Sequence, residues 1–469
     1  MHMLSGCILS ADKPELAVDI PPAYRGAMGN PDAALPSVEW WRGFRSRELT
    51  ALIEEAQVAN LDIAAAAGRV MQADAQARVA GAALLPSVDL NGDATKSRPS
   101  QTTGSSGTSS SRGSSSERSS YSASLSASFE IDFWGKNRAN LRAAEEAAVA
   151  SRYGRDVVQI TTIASVANAY FQVLAAQDRL RAARQNEASA SRILTLFQQR
   201  LQAGTASSLD IAQQESVVAT QRAAIPLLEQ TLRQNTNTLA VLLGRPPEFF
   251  KISGGSMSRL ATPRVTPGLP SDLLLRRPDI QQAEALLASA NGDVVAARAA
   301  FFPTISLTGE GGYQSRALKL LFQPESAFYN VAAGLTQPIF DGGRLLGDFE
   351  LQRGRQEELL QLYRKSVISG FADVENALVA IQQTARRERL QGEVVSSSRR
   401  AFEISETRLR EGTIDLVTSL NTQQSLFQAE DNLAQARLAH LQAIVSLFQA
   451  LGGSWADEPA VLVTATEKQ

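Results

Sequence analysis

Cysteine is almost missing from this 469-residue chain: Cys7 stands alone, and there are only two histidines, His2 and His440. No disulfide can form within the chain, and a Cys/His metal site or a Cys–His catalytic pair has almost no material to draw on. Charge of one sign is missing as well. Lys and Arg number 46 against 48 Asp and Glu, a net charge of −2, so there is no basic field for nucleic acid and no acidic tail. Aromatic residues make up 6%, while Ala, Gln, Leu, Arg and Glu crowd the central stretches, a composition that favours long helices over a compact aromatic core. No run of about 18 apolar residues occurs, which argues against a transmembrane helix. No convergent set of nucleophile, acid/base and metal-ligand residues is present to make an enzyme, and no cofactor is called for. The GSSG of Gly104–Gly107 lies in a Ser/Gly-rich tract rather than at a strand-to-helix elbow.

What the chain does have is everything twice. AALLPSVDL, Ala82–Leu90, returns as AAFFPTISL, Ala299–Leu307. Asn60-Leu61-Asp62-Ile63 and Arg277-Pro278-Asp279-Ile280 stand apart by the same distance as Pro86 and Pro303. Further on, ASVANAY (Ala164–Tyr170) answers FADVENAL (Phe371–Leu378), and RLQAGT (Arg200–Thr205) answers RLREGT (Arg408–Thr413). Two copies of one unit of roughly 200 residues follow, with an insertion in the first copy at the Ser/Gly/Thr tract Lys96–Ser120, which has almost nothing to bury.

Within a copy the periodicity changes in a fixed order. From Glu48 to Leu85 apolar residues recur at helical spacing with no proline until Pro86, which predicts one helix ended there. Tyr121, Ala123, Leu125, Ala127, Phe129, Ile131 and Phe133 alternate with Ser122, Ser124, Ser126, Ser128, Glu130 and Asp132, the pattern of a strand with one apolar face. Copy two has the matching pair in Thr304–Tyr313 and Phe328–Phe340. Each hairpin is followed by a proline-free stretch, Lys136–Ala203 or Leu345–Glu411, long enough for a helix of about 100 Å at 1.5 Å per residue. Ile163, Val166, Tyr170 and Val173 in the first, and Val367, Phe371, Val374, Leu378 and Ile381 in the second, carry the 3/4 spacing of a coiled coil. Both stretches stop at a Gly-Thr pair, Gly204-Thr205 and Gly412-Thr413, before a return helix to Leu243 or Leu451. The organisation expected is a tether over 7–45, repeat one over 46–244 with its hairpin at 87–133, a Pro/Gly-rich connector over 245–270, repeat two over 271–452 with its hairpin at 304–340, and a tail over 453–469.

A hairpin with an apolar face is unstable alone, and four strands cannot close a barrel. Strands cross a bilayer only in closed barrels, so several chains must associate for these to do so. Long polar loops at one end of both hairpins are what the outer face of such a barrel requires. The plainer alternative is a small soluble sheet at the end of a coiled coil.

LPSDLLLRRPDIQQAE (Leu269–Glu284), the two AALLP/AAFFP junctions, IDFWGKNR with QPIFDGGR, and Leu4-Ser5-Gly6-Cys7 together resemble the outer-membrane factor lipoproteins of multidrug efflux systems, the NodT/OprM branch of the TolC-like family, over Trp40–Trp455. The resemblance implies a mixed α and transmembrane β fold: a trimer whose 12-stranded β-barrel continues into a long α-helical barrel. It implies a passive exit duct in the outer membrane, docked to a periplasmic adaptor and an inner-membrane pump, with Cys7 as the mature N-terminus, acylated in the outer-membrane lipid, and the residues upstream of it lost. At the periplasmic aperture it implies rings from Leu209, Asp210 and Val417 just after the tip turns. The family's second acid is replaced here by Asn421, leaving Asp415 as the nearest carboxylate. Asp210 and Asp415 have a second reading, as acids that start their helices. Cys7 has one as a lone buried thiol. A periplasmic coiled-coil adaptor or scaffold is the competing function.

Overall fold

The computed structural model describes residues 19–25, 39–98, 117–263 and 270–453. Cys7, most of the Lys96–Ser120 tract and the tail after 453 lie outside them. The elements, in chain order, are α1 (Arg47–Ala59), α2 (Leu61–Ala82), β1 (Ser87–Ser97), β2 (Arg118–Ile131), α3 (Lys136–Gln202), α4 (Ser208–Leu242), α5 (Pro270–Arg276), α6 (Pro278–Ala299), β3 (Thr304–Ser315), β4 (Ala327–Thr336), α7 (Arg344–Glu411) and α8 (Leu416–Ala450). Helix pair, hairpin, long helix and return helix therefore occur twice in the same order. The compact units do not follow the repeats. Among the described residues, one gathers 71–150 with 284–362, and the other gathers those up to 70, those of 151–283 and those from 363 onward, so each unit draws on both copies.

In the first unit the strands form one antiparallel sheet in the order β1-β2-β3-β4. Directly opposed residues share a face, and the register sorts the side chains of three consecutive middle rows. Leu90, Leu125, Gly311 and Tyr329 form one row, and Val88, Ala127, Gly309 and Val331 the next. Between them on the other face run Asp89, Ser126, Glu310 and Asn330. Ser87 and Ser128 hydroxyls meet at 2.8 Å there, and Asn91 Nδ2 donates to Ser126 Oγ at 3.0 Å. The apolar face is largely exposed, and β1 and β4 are left as open edges.

The second unit inverts this. Phe171, Leu239, Leu243 and Val445 are fully enclosed in a core that also takes in Trp41, Phe44, Leu49 and Ile53. Trp40 stacks on Phe448 at 4.6 Å, and Phe44 packs on Phe171 at 5.0 Å. Within the expected tether, therefore, Trp40, Trp41 and Phe44 are core. All four coiled-coil positions of α3 are buried, and Val367, Val374 and Leu378 of α7 with them. One stretch of α3 is long and apolar enough by composition to cross a membrane, but 61% of it is buried within the protein. Its apolarity is satisfied by packing.

The single helix expected from Glu48 to Leu85 is two. Asn60 ends α1, its N–H reaching Ala56 O, and starts α2 by accepting from the N–H groups of Asp62 and Ile63 on Oδ1 at 2.9 and 3.0 Å. Its Nδ2 donates to Leu242 O, at the end of α4, at 2.7 Å. Arg277 does the corresponding job in copy two with a charge. Its guanidinium is 11% exposed, grips Asp279 through Nε and Nη2 at 2.9 and 2.6 Å, and reaches Asp373 at 2.9 Å and Ala450 O, at the end of α8, at 3.3 Å. Burial works against that charge, but the two carboxylates outweigh it and hold the guanidinium above its usual range. The partner glycines are constrained in the same way. Gly244 and Gly452 sit at φ 66 and 92°, and an added Cβ would fall 2.5 Å from the carbonyl oxygen of Ala59 or Arg276.

The connector is folded onto this core rather than loose. Glu48 accepts from Ser253 N at 2.8 Å and Gly254 N at 3.0 Å, Gln177 accepts from Gly255 N, and Asp178 from Met257 N. Tyr170, whose hydroxyl donates to Glu48 at 3.2 Å, is pushed up to about 12 by burial, with the Glu48 charge adding to the shift.

Candidate functional site

Two regions carry the features a duct needs: the sheet and the turns at the ends of α3 and α7. On the sheet's polar face, Asp89 and Glu310 fall in one row with Ser126 and Asn330, and Asp93 lies further along β1. Glu130, at the α3 end of β2, pairs with Lys136 at 2.6 Å. Aromatic rings collect where the sheet meets the helices. Trp134 stacks on Phe302 at 4.7 Å, donates from Nε1 to Pro303 O at 2.8 Å, and meets Phe133 edge-on at 4.8 Å. Polar-tipped and large aromatic side chains at the rim of an apolar band are the girdle of a membrane barrel.

The change from strand to helix uses an acid in both copies. Asp132 accepts from the N–H groups of Asn137 and Arg138, each at 2.9 Å, and from Arg138 Nε at 3.1 Å. Burial pushes its carboxyl up, but those backbone donors and the guanidinium bring it below the usual carboxylate range. Asp341 caps α7 through Gly343 N at 3.0 Å and Leu345 N at 2.9 Å. These caps explain IDFWGKNR and QPIFDGGR: a carboxylate satisfies the first free N–H groups of a helix, and Gly135, Gly342 and Gly343 take the positive φ that the reversal needs.

At the other turns, Gly204 and Gly412 adopt φ 73 and 74°. Thr205 N and Thr413 N close onto Arg200 O and Arg408 O at 2.8 and 2.9 Å, with each threonine hydroxyl donating to the same carbonyl at 3.1 Å. Ser207 and Asp210 form a reciprocal cap at the start of α4: Asp210 N donates to Ser207 Oγ at 3.2 Å, and Ser207 N to Asp210 Oδ2 at 2.8 Å. Asp415 is the N-cap of α8, accepting from Thr418 N at 2.7 Å, and that bond holds its carboxyl below the usual range. Both acids thus have a local helix-starting duty. Leu209 and Val417 are exposed beside them, and Asn421 is exposed, its carbonyl accepting from Ser425 Oγ at 2.7 Å. Beneath the turns Phe197, Phe402, Leu409, Leu416 and Phe427 make a small core.

Three tip residues escape sequence reading. Arg200 Nη2 donates to Leu409 O and Arg410 O, both at 2.7 Å, tying the first turn to the last carbonyls of α7. The Arg in both RLQAGT and RLREGT is a signal, but it does not say which copy bridges. Gln214 is buried and donates to Ala190 O at 2.8 Å, and Gln423 is 1% exposed with neither amide atom hydrogen-bonded among the described residues. Both read as surface positions on a polar helix.

Comparison with known proteins agrees with this geometry. The family model described as outer membrane efflux protein matches residues 52–245 and again 269–453. The chain is 43% identical over 447 residues to the pyoverdine export outer membrane protein OpmQ of Pseudomonas putida, covering 95% of this chain and 94% of that one. It is 32% identical over 468 residues to the probable efflux pump outer membrane protein TtgC of Pseudomonas putida, covering 97% and 94%. Among solved structures, the open state of the Neisseria gonorrhoeae MtrE outer membrane channel superposes with a TM-score of 0.84 at 26% identity, covering 95% of this chain and 97% of that one. A two-faced sheet with open edges, twin long helices and two family matches in series mark the chain as a member of the outer membrane efflux protein family, a TolC-like channel of the bacterial outer membrane rather than an enzyme.

Proposed function

We propose that three copies of this chain close a 12-stranded barrel, β4 of each pairing with β1 of the next, and that the barrel opens into a tunnel lined by α3, α4, α7 and α8. The observation that carries this reading is the sheet: its central rows alternate between an apolar and a polar face, Phe328 on the polar face being the exception, between two edges unpaired among the described residues. An open edge in hydrocarbon costs several kcal/mol for each unsatisfied group, and only closure removes it. The two halves are then a duplicated unit, four strands and four long helices per chain, and the repeat and connector boundaries follow from that. An adaptor and an inner-membrane pump supply the cargo, which leaves passively. The relatives named for pyoverdine export, 43% and 41% identical, make a pyoverdine-type molecule the first cargo to test. Cys7 is the acylated N-terminus of the mature chain, so outer-membrane lipid holds both the anchor and the barrel. The Gly-Thr turns form the periplasmic aperture. There Leu209 and Val417 narrow the opening, and Asp210, Asp415 and Asn421 set its polarity on top of their capping roles.

The test is reconstitution of the purified chain in a planar bilayer, with its mass measured in detergent. A conducting trimer is expected. A non-conducting monomer or dimer of intact fold supports the adaptor or scaffold instead.

A further inference from the structure

The loop between β3 and β4 does not behave like its counterpart. The first hairpin carries a Ser/Gly/Thr tract, but residues 316–326 read RALKLLFQPES, so the expectation of polar loops on both hairpins fails for the second. Two short 3-10 turns, Leu318–Leu320 and Pro324–Ser326, shape it. Ser326 Oγ donates to Leu320 O at 2.8 Å, and Leu321 is buried at 5% exposure as the anchor. Leu318 and Phe322, by contrast, are 64 and 73% exposed. The Phe322 ring meets Tyr313 edge-on at 5.7 Å, and Tyr313 lies on the apolar face of the sheet, opposite Ala123 and Ala327. The apolar surface therefore does not stop where the strands stop. Arg316 and Lys319 are interleaved with these residues, both exposed and neither in an ion pair among the described residues. Glu325 is the loop's one acid.

We propose that this loop lies in the headgroup layer of the outer leaflet, with Leu318 and Phe322 entering the acyl boundary and Arg316 and Lys319 on the phosphates of an anionic glycolipid. Apolar and basic side chains combined on one short segment are what an interfacial element needs: the apolar part gains from leaving water, and the cations stay at headgroup depth. Guanidinium and ammonium groups bind phosphate through charge-assisted hydrogen bonds. The inference rests on the duct reading above and on the outer-face position that a membrane barrel gives the longer loops at its hairpin tips.

The full chain, purified in detergent, is titrated with lipid A, a diphosphorylated glycolipid, and separately with phosphatidylcholine, and bound lipid is read by native mass spectrometry. Wild-type protein should retain lipid A in preference. Arg316→Gln with Lys319→Gln should lose that preference by about 30-fold, on the order of 5-fold for each charge, while still forming conducting trimers. Equal retention of lipid A by wild type and the double variant overturns the inference, as does equal retention of the two lipids by wild type. In Phe322→Trp, the added emission should be quenched by brominated acyl chains, and emission indifferent to bromine overturns the acyl-boundary placement. Orientation is tested separately, with Lys319→Cys and a membrane-impermeant maleimide on intact cells. A labelled chain that is indifferent to lipid A removes the headgroup contact alone, and an unlabelled chain removes the outward placement and the inference with it.

Discussion

Leucines in the two compact units have opposite surroundings. Leu90 and Leu335 on the sheet are 78 and 70% exposed, whereas Leu49 and Leu239 among the helices are at 0%. Both sets come from clean periodic patterns, period two on the strands and 3/4 spacing on the helices, and both patterns put apolar side chains on one side only. In the helical unit that side is met by other protein. On the sheet most of it is met by no other side chain among the described residues, and an apolar face with open backbone edges is what lipid and neighbouring copies would cover in the proposed barrel. An exposed leucine therefore means different things in the two units.

The comparison can be broken from either side. Phe171→Ala removes a fully enclosed ring from the helical core and should cost about 3–5 kcal/mol, seen as a large fall in the denaturation midpoint. The same truncation at Tyr329 on the sheet should leave that midpoint almost unmoved. Leu125→Arg should cost about 2–4 kcal/mol in each chain if the residue meets the middle of the bilayer, seen as failure to reach the outer membrane. Normal insertion of that variant would place the face against something other than lipid. Asn60→Ala should cost about 1 kcal/mol through the lost cap of α2. Arg277→Met should cost more, because Asp279 and Asp373 are left without their cation. Equal losses would mean that the charge adds nothing over the amide.

A smaller effect depends on pH. Glu388 is held below its ordinary range first by His440, at 2.7 Å, and then by Arg437, at 2.8 Å. A depressed carboxyl stabilises the fold fully above its unfolded pKa, and the contribution is lost as the pH falls through the lower folded value. Glu388→Gln should flatten the acid limb of a stability–pH profile below about pH 4 and leave the profile near neutrality parallel to wild type. The least change is expected from Asp89→Asn with Glu310→Gln. Six carboxylates per trimer would leave one lumenal row, lowering cation preference in bilayer recordings without altering conductance much. Val417→Ala should do the reverse, raising conductance with selectivity kept.

Much of the fold is legible along the chain because strand alternation and coiled-coil spacing are local periodicities that each element carries by itself. Ser207 and Asp210 likewise show their capping role in their spacing. The break at Asn60 is not legible. The helical pattern runs through it, and what stops the helix is a carbonyl 182 residues away. The difference between Arg200 and Arg408 is hidden for the same reason, since identical motifs end up beside different carbonyls. The compact units are not legible either: the repeats divide the chain near its middle, while each unit gathers segments from both copies.

By itself, then, the sequence determined the repeated order of elements, the apolar stripe on each, and the glycines and acids at their ends, all consequences of backbone sterics and side-chain period. Tertiary structure decided which of two equivalent residues bridges, as with Arg200, whose guanidinium reaches Leu409 O and Arg410 O. It decided that Trp40, Trp41 and Phe44 belong to a core, and that the second hairpin loop extends the sheet's apolar face. Each of those outcomes depends on groups brought together from distant parts of the chain, where burial and hydrogen-bond satisfaction choose among alternatives that local pattern leaves equal.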